Sequence, residues 1–207
     1  MAVGAFYCPS RREAIAYPRN ANGGGYSFLN SVHPDDRLWG VNDYVGSLGS
    51  TDCGNDRSDI TYDNSETHTW PRPYSFWLGV IFERSEVRIK QVTDGTSHTY
   101  LIGERYLDPD LYTSDFAVRS PHWGGHDTGN VACTDYDPIR KTGRGFPPTQ
   151  DQPGNRRVCA SGSAHSGGFH MAMRDGSVRS INYELGWRVH QSLSTRAQSE
   201  VIDDAEL

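Results

Sequence analysis

The chain has 207 residues, a formal net charge of −6 and a pI near 5.7, a length that fits one domain with its own core or two small ones. Its arginines are scattered singly or in pairs (Arg11-Arg12, Arg156-Arg157), so no basic stripe displaces counterions from phosphates and a nucleic-acid partner is excluded. No apolar run approaches the roughly 20 residues of a membrane span, and MAVGAFYCPS lacks the apolar core of a signal peptide. A hydrophobic fraction of 35% with 22 Gly and 11 Pro predicts many turns rather than long helices, while 5 Trp, 11 Tyr and 7 Phe offset the shortage of aliphatics. The composition points to a β-rich α+β fold with an aromatic core and long loops.

Residues 1–30 read as an extended entry segment, FYCPSRR running into the Gly-rich turn NANGGGYS. LWGVNDYVGSLG, residues 38–49, reads as a short strand broken by glycines. Residues 50–75 are polar and form a long loop, a feature that usually carries a function or a stabilising ligand. FWLGVIF, residues 76–82, predicts a buried strand; Val87, Ile89 and Val92 predict a second, leading into the turn Asp94-Gly95-Thr96-Ser97, where Asp94 caps backbone N–H groups. HTYLIG, residues 98–103, predicts a third strand closed by Glu104 and Arg105. Residues 107–164 are loop-dominated.

Phe169, Met171 and Met173 alternate with His170 and Ala172, and beyond Asp175-Gly176 Val178 alternates with Arg179. This pattern predicts a hairpin with a type I′ turn, whose two central residues take positive φ. ELGWRVHQSLSTRA then places Leu185, Val189 and Leu193 four residues apart, as in a short amphipathic helix with Trp187 near its apolar edge. Residues 198–207 form an acidic, frayed tail.

Several groups invite chemistry. His122 and His126 stand four apart, as zinc ligands on a helix do, but two glycines lie between them and no Glu follows the first. His165 and His170 lie near Ser163 and Ser166, without the G-x-S-x-G of a nucleophile elbow; a structural hydrogen bond is the expected use of His165. Asp52, Asn55, Asp56, Asp59 and Asp63, and separately Asp127, Asp135 and Asp137, supply hard oxygen ligands suited to calcium in irregular loops, and equally suit solvated carboxylates. Asp94 and Glu104 form a conceivable acid/base pair, with structural use as the default. Cys8, Cys53, Cys133 and Cys159 are widely spaced among turn formers, unlike the close pairs of a zinc or redox site. Sequence-local disulfides, Cys8 with Cys53 and Cys133 with Cys159, would imply an oxidising compartment; four buried thiols are the alternative.

Three motifs together carry a family resemblance. FYCPSRR with Cys8 comes first, VTDGTSHTYLIGER at residues 92–105 second, and His165, nine residues and Asp175-Gly176-Ser177 third, with Gly168 inside that interval. The chain resembles a planctomycete family of unknown function with a prepilin-type N-terminus, from about Phe6 to Ile202. The resemblance implies a single pseudopilin-like head domain over residues 1–207: an antiparallel sheet with long loops and a short C-terminal helix. The family's basic leader and long apolar helix are absent, so the chain is expected to be truncated or processed, with a membrane link only through that missing helix. Localisation is expected to be extracytoplasmic, in the cell envelope, the periplasm or the exterior. The function implied is a structural or interaction subunit of a type II secretion or type IV pilus-like assembly, contacting itself or other pilin-like and envelope proteins, and no enzyme. His165, Gly168, Asp175, Gly176, Ser177, Asp94, Gly95, Thr96, Ser97 and Glu104 carry over as signature residues that hold turns, with no catalytic role. Two other readings remain: a glycan- or solute-binding module using Trp70-Pro-Arg-Pro-Tyr74 and His122-Trp123, and a metal-dependent hydrolase using His122/His126 or His165/His170.

Overall fold

The structure, a computed structural model, describes residues 2–18, 38–39, 41–50, 74–82, 85–113, 139–155 and 159–202. In chain order its strands are β1 (Tyr17–Pro18), β2 (Leu38–Trp39), β3 (Tyr44–Gly49), β4 (Tyr100–Glu104), β5 (Ile139–Lys141), β6 (Thr149–Gln150), β7 (Gly162–Ser163), β8 (Phe169–Met173) and β9 (Val178–Ile181), followed by the helix α1 (Trp187–Ser192). The expected β-rich α+β class is therefore what the chain adopts. The main sheet has the order β5-β3-β4-β8-β9; it is antiparallel except that β5 lies parallel to β3.

Alternation builds the centre. Phe169, Met171 and Met173 are buried on one face of β8, and His170 is exposed on the other. They join Tyr100, Ile181 and Leu193 in the largest apolar cluster, with Tyr183, Leu185 and Val189 packed against it. The helix α1 covers this face, as its four-residue apolar spacing predicts. It is shorter than the predicted segment: Gly186 occupies its N-cap, and the hydroxyls of Ser194 and Thr195 turn back to the carbonyls of Gln191 and Ser192.

β4 changes face midway. Its register against β8 shifts between Tyr100 and Ile102. Tyr100 packs in the apolar cluster and a Cβ on Gly103 would meet Met171 at 2.5 Å, so both positions face the core. Ile102 and Glu104 consequently turn to the face that carries His170.

Three local expectations are corrected. The Asp-Gly turn is not type I′: the loop is three residues, closed by Met173 N–H to the Ser177 carbonyl (2.8 Å) and Gly176 N–H to the Met173 carbonyl (3.0 Å). Only Gly176 in it has positive φ (88°), the geometry of a type I turn with a glycine bulge. The run FWLGVIF is buried at Trp77, Val80 and Phe82 but forms no strand. It lies along β3 through two backbone bonds, Gly79 to Leu48 (2.9 Å) and Ile81 to Ser47 (3.1 Å), while the carbonyls of Trp77 and Gly79 accept from the buried Arg196 guanidinium instead of a neighbouring strand. Residues 87–92 form a 3₁₀ turn, Ile89–Gln91, with Ile89 66% exposed, because the Gln91 side chain caps the Arg88 amide.

Candidate functional site

The site begins at the turn Cys8-Pro9-Ser10-Arg11. The Cys8 carbonyl accepts from the amides of Arg11 (2.9 Å) and Arg12 (3.2 Å), a tight reversal that suits Pro at its second position. The reversal sends both arginines inward. Arg11 pairs with Asp151 (2.9 Å) and Asp43 (3.2 Å) and donates to the Arg105 carbonyl (2.7 Å). Arg12 pairs with Asp43 and donates to the Tyr112 carbonyl (3.0 Å). Asp43 also accepts the Cys8 amide at 2.8 Å. Burial raises the Asp43 pKa, but the Arg12 and Arg11 guanidiniums outweigh burial and hold the carboxyl below its ordinary range.

These bonds hold the Cys8 side chain beside the end of β4, where Glu104 is buried. One Glu104 oxygen, Oε2, accepts the His170 amide at 2.7 Å and contacts His170 Nδ1 at 3.1 Å. The other, Oε1, lies 3.3 Å from His165 Nε2. The same Nε2 stands 3.7 Å from Cys8 Sγ. One ligand-type atom from each of Cys8, Glu104 and His165 thus falls within 4.8 Å of the others. The two imidazoles stack edge to face, their centroids 5.2 Å apart. The Tyr183 hydroxyl supports the loop carrying His165, sitting among the carbonyls of Ser163 (3.1 Å), His165 (2.9 Å) and Gly168 (3.0 Å).

The cluster is not arranged as a nucleophilic triad. A triad needs the carboxylate on the imidazole nitrogen opposite the nucleophile. Here Glu104 and Cys8 converge on the same Nε2. A reactive cysteine also needs a depressed pKa. Burial pushes the Cys8 thiol up, and the Glu104 charge adds to that shift, against opposing effects of the Ser10 amide and Arg11. Nor do Ser163 and His165 form a hydrolase pair: the Ser163 hydroxyl meets the backbone amide of His165 (3.4 Å), not its ring.

The remaining motif residues hold backbone. Asp94 accepts the amides of Gln198 and Ser199, both at 2.8 Å. Gly95 takes φ 94°, and its carbonyl accepts the Thr99 hydroxyl (2.9 Å). The Thr96 carbonyl receives the Asp175 amide (3.1 Å), which ties the middle motif to the hairpin tip. Ser97 Oγ meets His98 Nδ1 (3.0 Å). Asp175 accepts the amide and hydroxyl of Ser177, which lower its pKa. A Cβ on Gly168 would strike the Ile181 carbonyl. Asp94 and Glu104 are held by different partners, Asp94 by the amides of Gln198 and Ser199 and Glu104 by His170 and His165.

The disulfide expectation is corrected at two of its four positions: Cys8 and Cys159 carry thiols. The physical reason at Cys8 is its orientation, with Sγ directed at His165 and Glu104. Cys53 and Cys133 lie outside the described residues, as do His122, His126, Trp70, Trp123 and the calcium candidates Asp52, Asp56, Asp59, Asp63, Asp127, Asp135 and Asp137. Sequence reasoning missed the buried Arg11–Asp43–Arg12 group and the meeting of Cys8 with Glu104 and His165. The available signal was that each of the three motifs contains at least one residue type able to bind a metal, Cys8, Glu104 and His165 among them.

Compared with known proteins, residues 1–186 match the family described as "Protein of unknown function (DUF1559)". No curated protein and no solved structure matches the chain.

Proposed function

The chain belongs to this family of unknown function, DUF1559, and from that premise we propose that it is an extracytoplasmic structural or interaction protein, the head of a pseudopilin-like subunit in an envelope assembly of the type II secretion or type IV pilus kind. The observation that carries the reading is how the motif residues are used. Asp94 accepts the amides of Gln198 and Ser199, the Thr96 carbonyl accepts the Asp175 amide and Gly168 lies close against the Ile181 backbone, all segments remote in sequence, while the Gly95 carbonyl and the Asp175 carboxylate hold their own turns. Such residues stiffen a loop-rich head whose exposed face is left for contacts. The N-terminal side supports the same role. Arg11 and Arg12 fasten the entry segment to Asp43, Asp151 and Arg105 across the interior, so a load applied there passes into the sheet.

The test is fractionation of the native gene product in its source organism, with mass spectrometry of its N-terminus. Recovery in the envelope fraction with a prepilin-type cleaved and methylated N-terminus is expected. Recovery in the cytoplasm with an unprocessed N-terminus would overturn the reading.

A further inference from the structure

We propose that Cys8, Glu104 and His165 form a zinc-binding site with one coordination position left for water, at the meeting of the N-terminal turn, the end of β4 and the loop before β8. The inference goes beyond the reading as an envelope head and stands or falls separately from it.

The spacing of the ligand atoms is the first support. Tetrahedral zinc, with bonds of about 2.3 Å to sulfur and 2.0–2.1 Å to nitrogen and oxygen, puts S and N ligands about 3.6 Å apart and N and O ligands about 3.3 Å apart. The observed separations are 3.7 Å for Cys8 Sγ to His165 Nε2 and 3.3 Å for His165 Nε2 to Glu104 Oε1.

The second support is convergence on one point. His165 Nε2 faces both Cys8 Sγ and Glu104 Oε1, and the Cys8 thiol also hydrogen-bonds the Glu104 carboxylate. A cation that displaces the bridging protons is held by all three side chains together. The third support is burial. Glu104 is 1% exposed, and among the described residues its oxygens are met by His165, His170 and the Cys8 thiol rather than by a lysine or arginine.

His170 is the positioning residue. Its amide and Nδ1 both hold Oε2, which leaves Oε1 aimed at the site, the arrangement by which outer groups orient a carboxylate ligand. Access is from the solvent side, where the His165 and His170 side chains are 32% and 50% exposed. A thiolate, an imidazole and one carboxylate select zinc over calcium or magnesium, which take oxygen ligands. Bound zinc would pin three segments distant in sequence, the task the expected disulfides would otherwise have served.

The experiment uses the full chain, reduced and stripped of metal, titrated with Zn²⁺ against a chromophoric chelator and separately with Co²⁺. One equivalent of tight binding and a thiolate-to-cobalt charge-transfer band are expected. Cys8→Ser should abolish the band, and Cys159→Ser should leave it intact. His165→Ala should lose the tight equivalent. His170→Ala should keep the band and bind about 10- to 100-fold more weakly. Circular dichroism checks each variant's fold; if Cys8→Ser is unfolded, His165→Ala, which alters a partly exposed ring, decides alone. Absence of a tight equivalent, or a band and affinity unchanged in the folded Cys8→Ser or His165→Ala chain, would overturn the proposal.

Discussion

Acid should weaken this fold through His190, a fully buried residue of α1 whose ring lies 5.5 Å from that of Tyr100 and 5.9 Å from that of Phe169. Nδ1 meets the Tyr100 hydroxyl at 3.3 Å, and Nε2 has no hydrogen-bond partner among the described residues. Burial alone pushes the pKa down to about 3, because nothing in this apolar cluster solvates an imidazolium. In the unfolded chain the ring returns to its ordinary value of about 6.5. Between those values the unfolded state binds a proton that the folded state refuses. Stability contributed by neutral His190 is therefore complete above about pH 6.5 and declines as pH falls toward 3. Each pH unit inside the window costs up to about 1.4 kcal/mol, so moving from pH 6.5 to 4.5 removes roughly 2–3 kcal/mol. That is a large share of the 5–15 kcal/mol that typically holds a domain together (about 10 kcal/mol at mid-range). Urea unfolding of the wild type and His190→Leu, followed by circular dichroism at four pH values from 7.5 to about 4.5, isolates this contribution, since the other titrating groups are shared. The wild type should lose roughly 2–3 kcal/mol more than His190→Leu across the window. Equal losses in the two proteins would refute the assignment of the acid sensitivity to this ring.

Asp43→Ala removes the carboxylate that Arg11 and Arg12 share, leaving Arg11 with Asp151 and Arg12 with the Tyr112 carbonyl, and should cost about 3–5 kcal/mol in urea unfolding, the usual result of removing one partner of a buried pair. Because the Asp43 pKa is depressed in the folded state, its stabilisation is complete above its unfolded value and is lost as pH falls through the folded one; Asp43→Asn should flatten the stability curve below about pH 4. Two glycines should respond unequally to alanine in thermal melts. A Cβ on Gly79 would come within 2.5 Å of the Gly49 nitrogen and strike the Leu48 backbone, costing about 3 kcal/mol or more, whereas Gly176 has open space and only its positive φ, costing about 1–2 kcal/mol. Asp94→Ala should lower global stability by about 1 kcal/mol while markedly speeding amide exchange at Gln198 and Ser199, whose acceptor it removes.

The elements legible in the sequence are those whose stabilisation is local and periodic. Alternation around Asp175-Gly176 predicts β8 and β9, and the spacing of Leu185, Val189 and Leu193 predicts the face α1 buries. The apolar run at 76–82 is correctly read as buried, but its strand fails because Arg196, remote in sequence, takes the carbonyls a neighbouring strand would need. The turn type fails for a different reason: Asp-Gly fits either a two-residue loop or a three-residue loop with a bulge, and the pairing of Ala172 with Val178 decides between them.

Local patterning carries the fold class, the two faces of β8 and the three motifs that mark the chain. The meeting of Cys8, Glu104 and His165 is set by tertiary contacts. Their meeting depends on the buried Arg–Asp pairs that turn Cys8 toward the sheet, and on the register shift in β4 that moves Glu104 to the face of His170. A period of two assigns residues to faces along an unbroken strand. It says nothing of a bulge, nor of which atoms from separate segments arrive within bonding distance of one another.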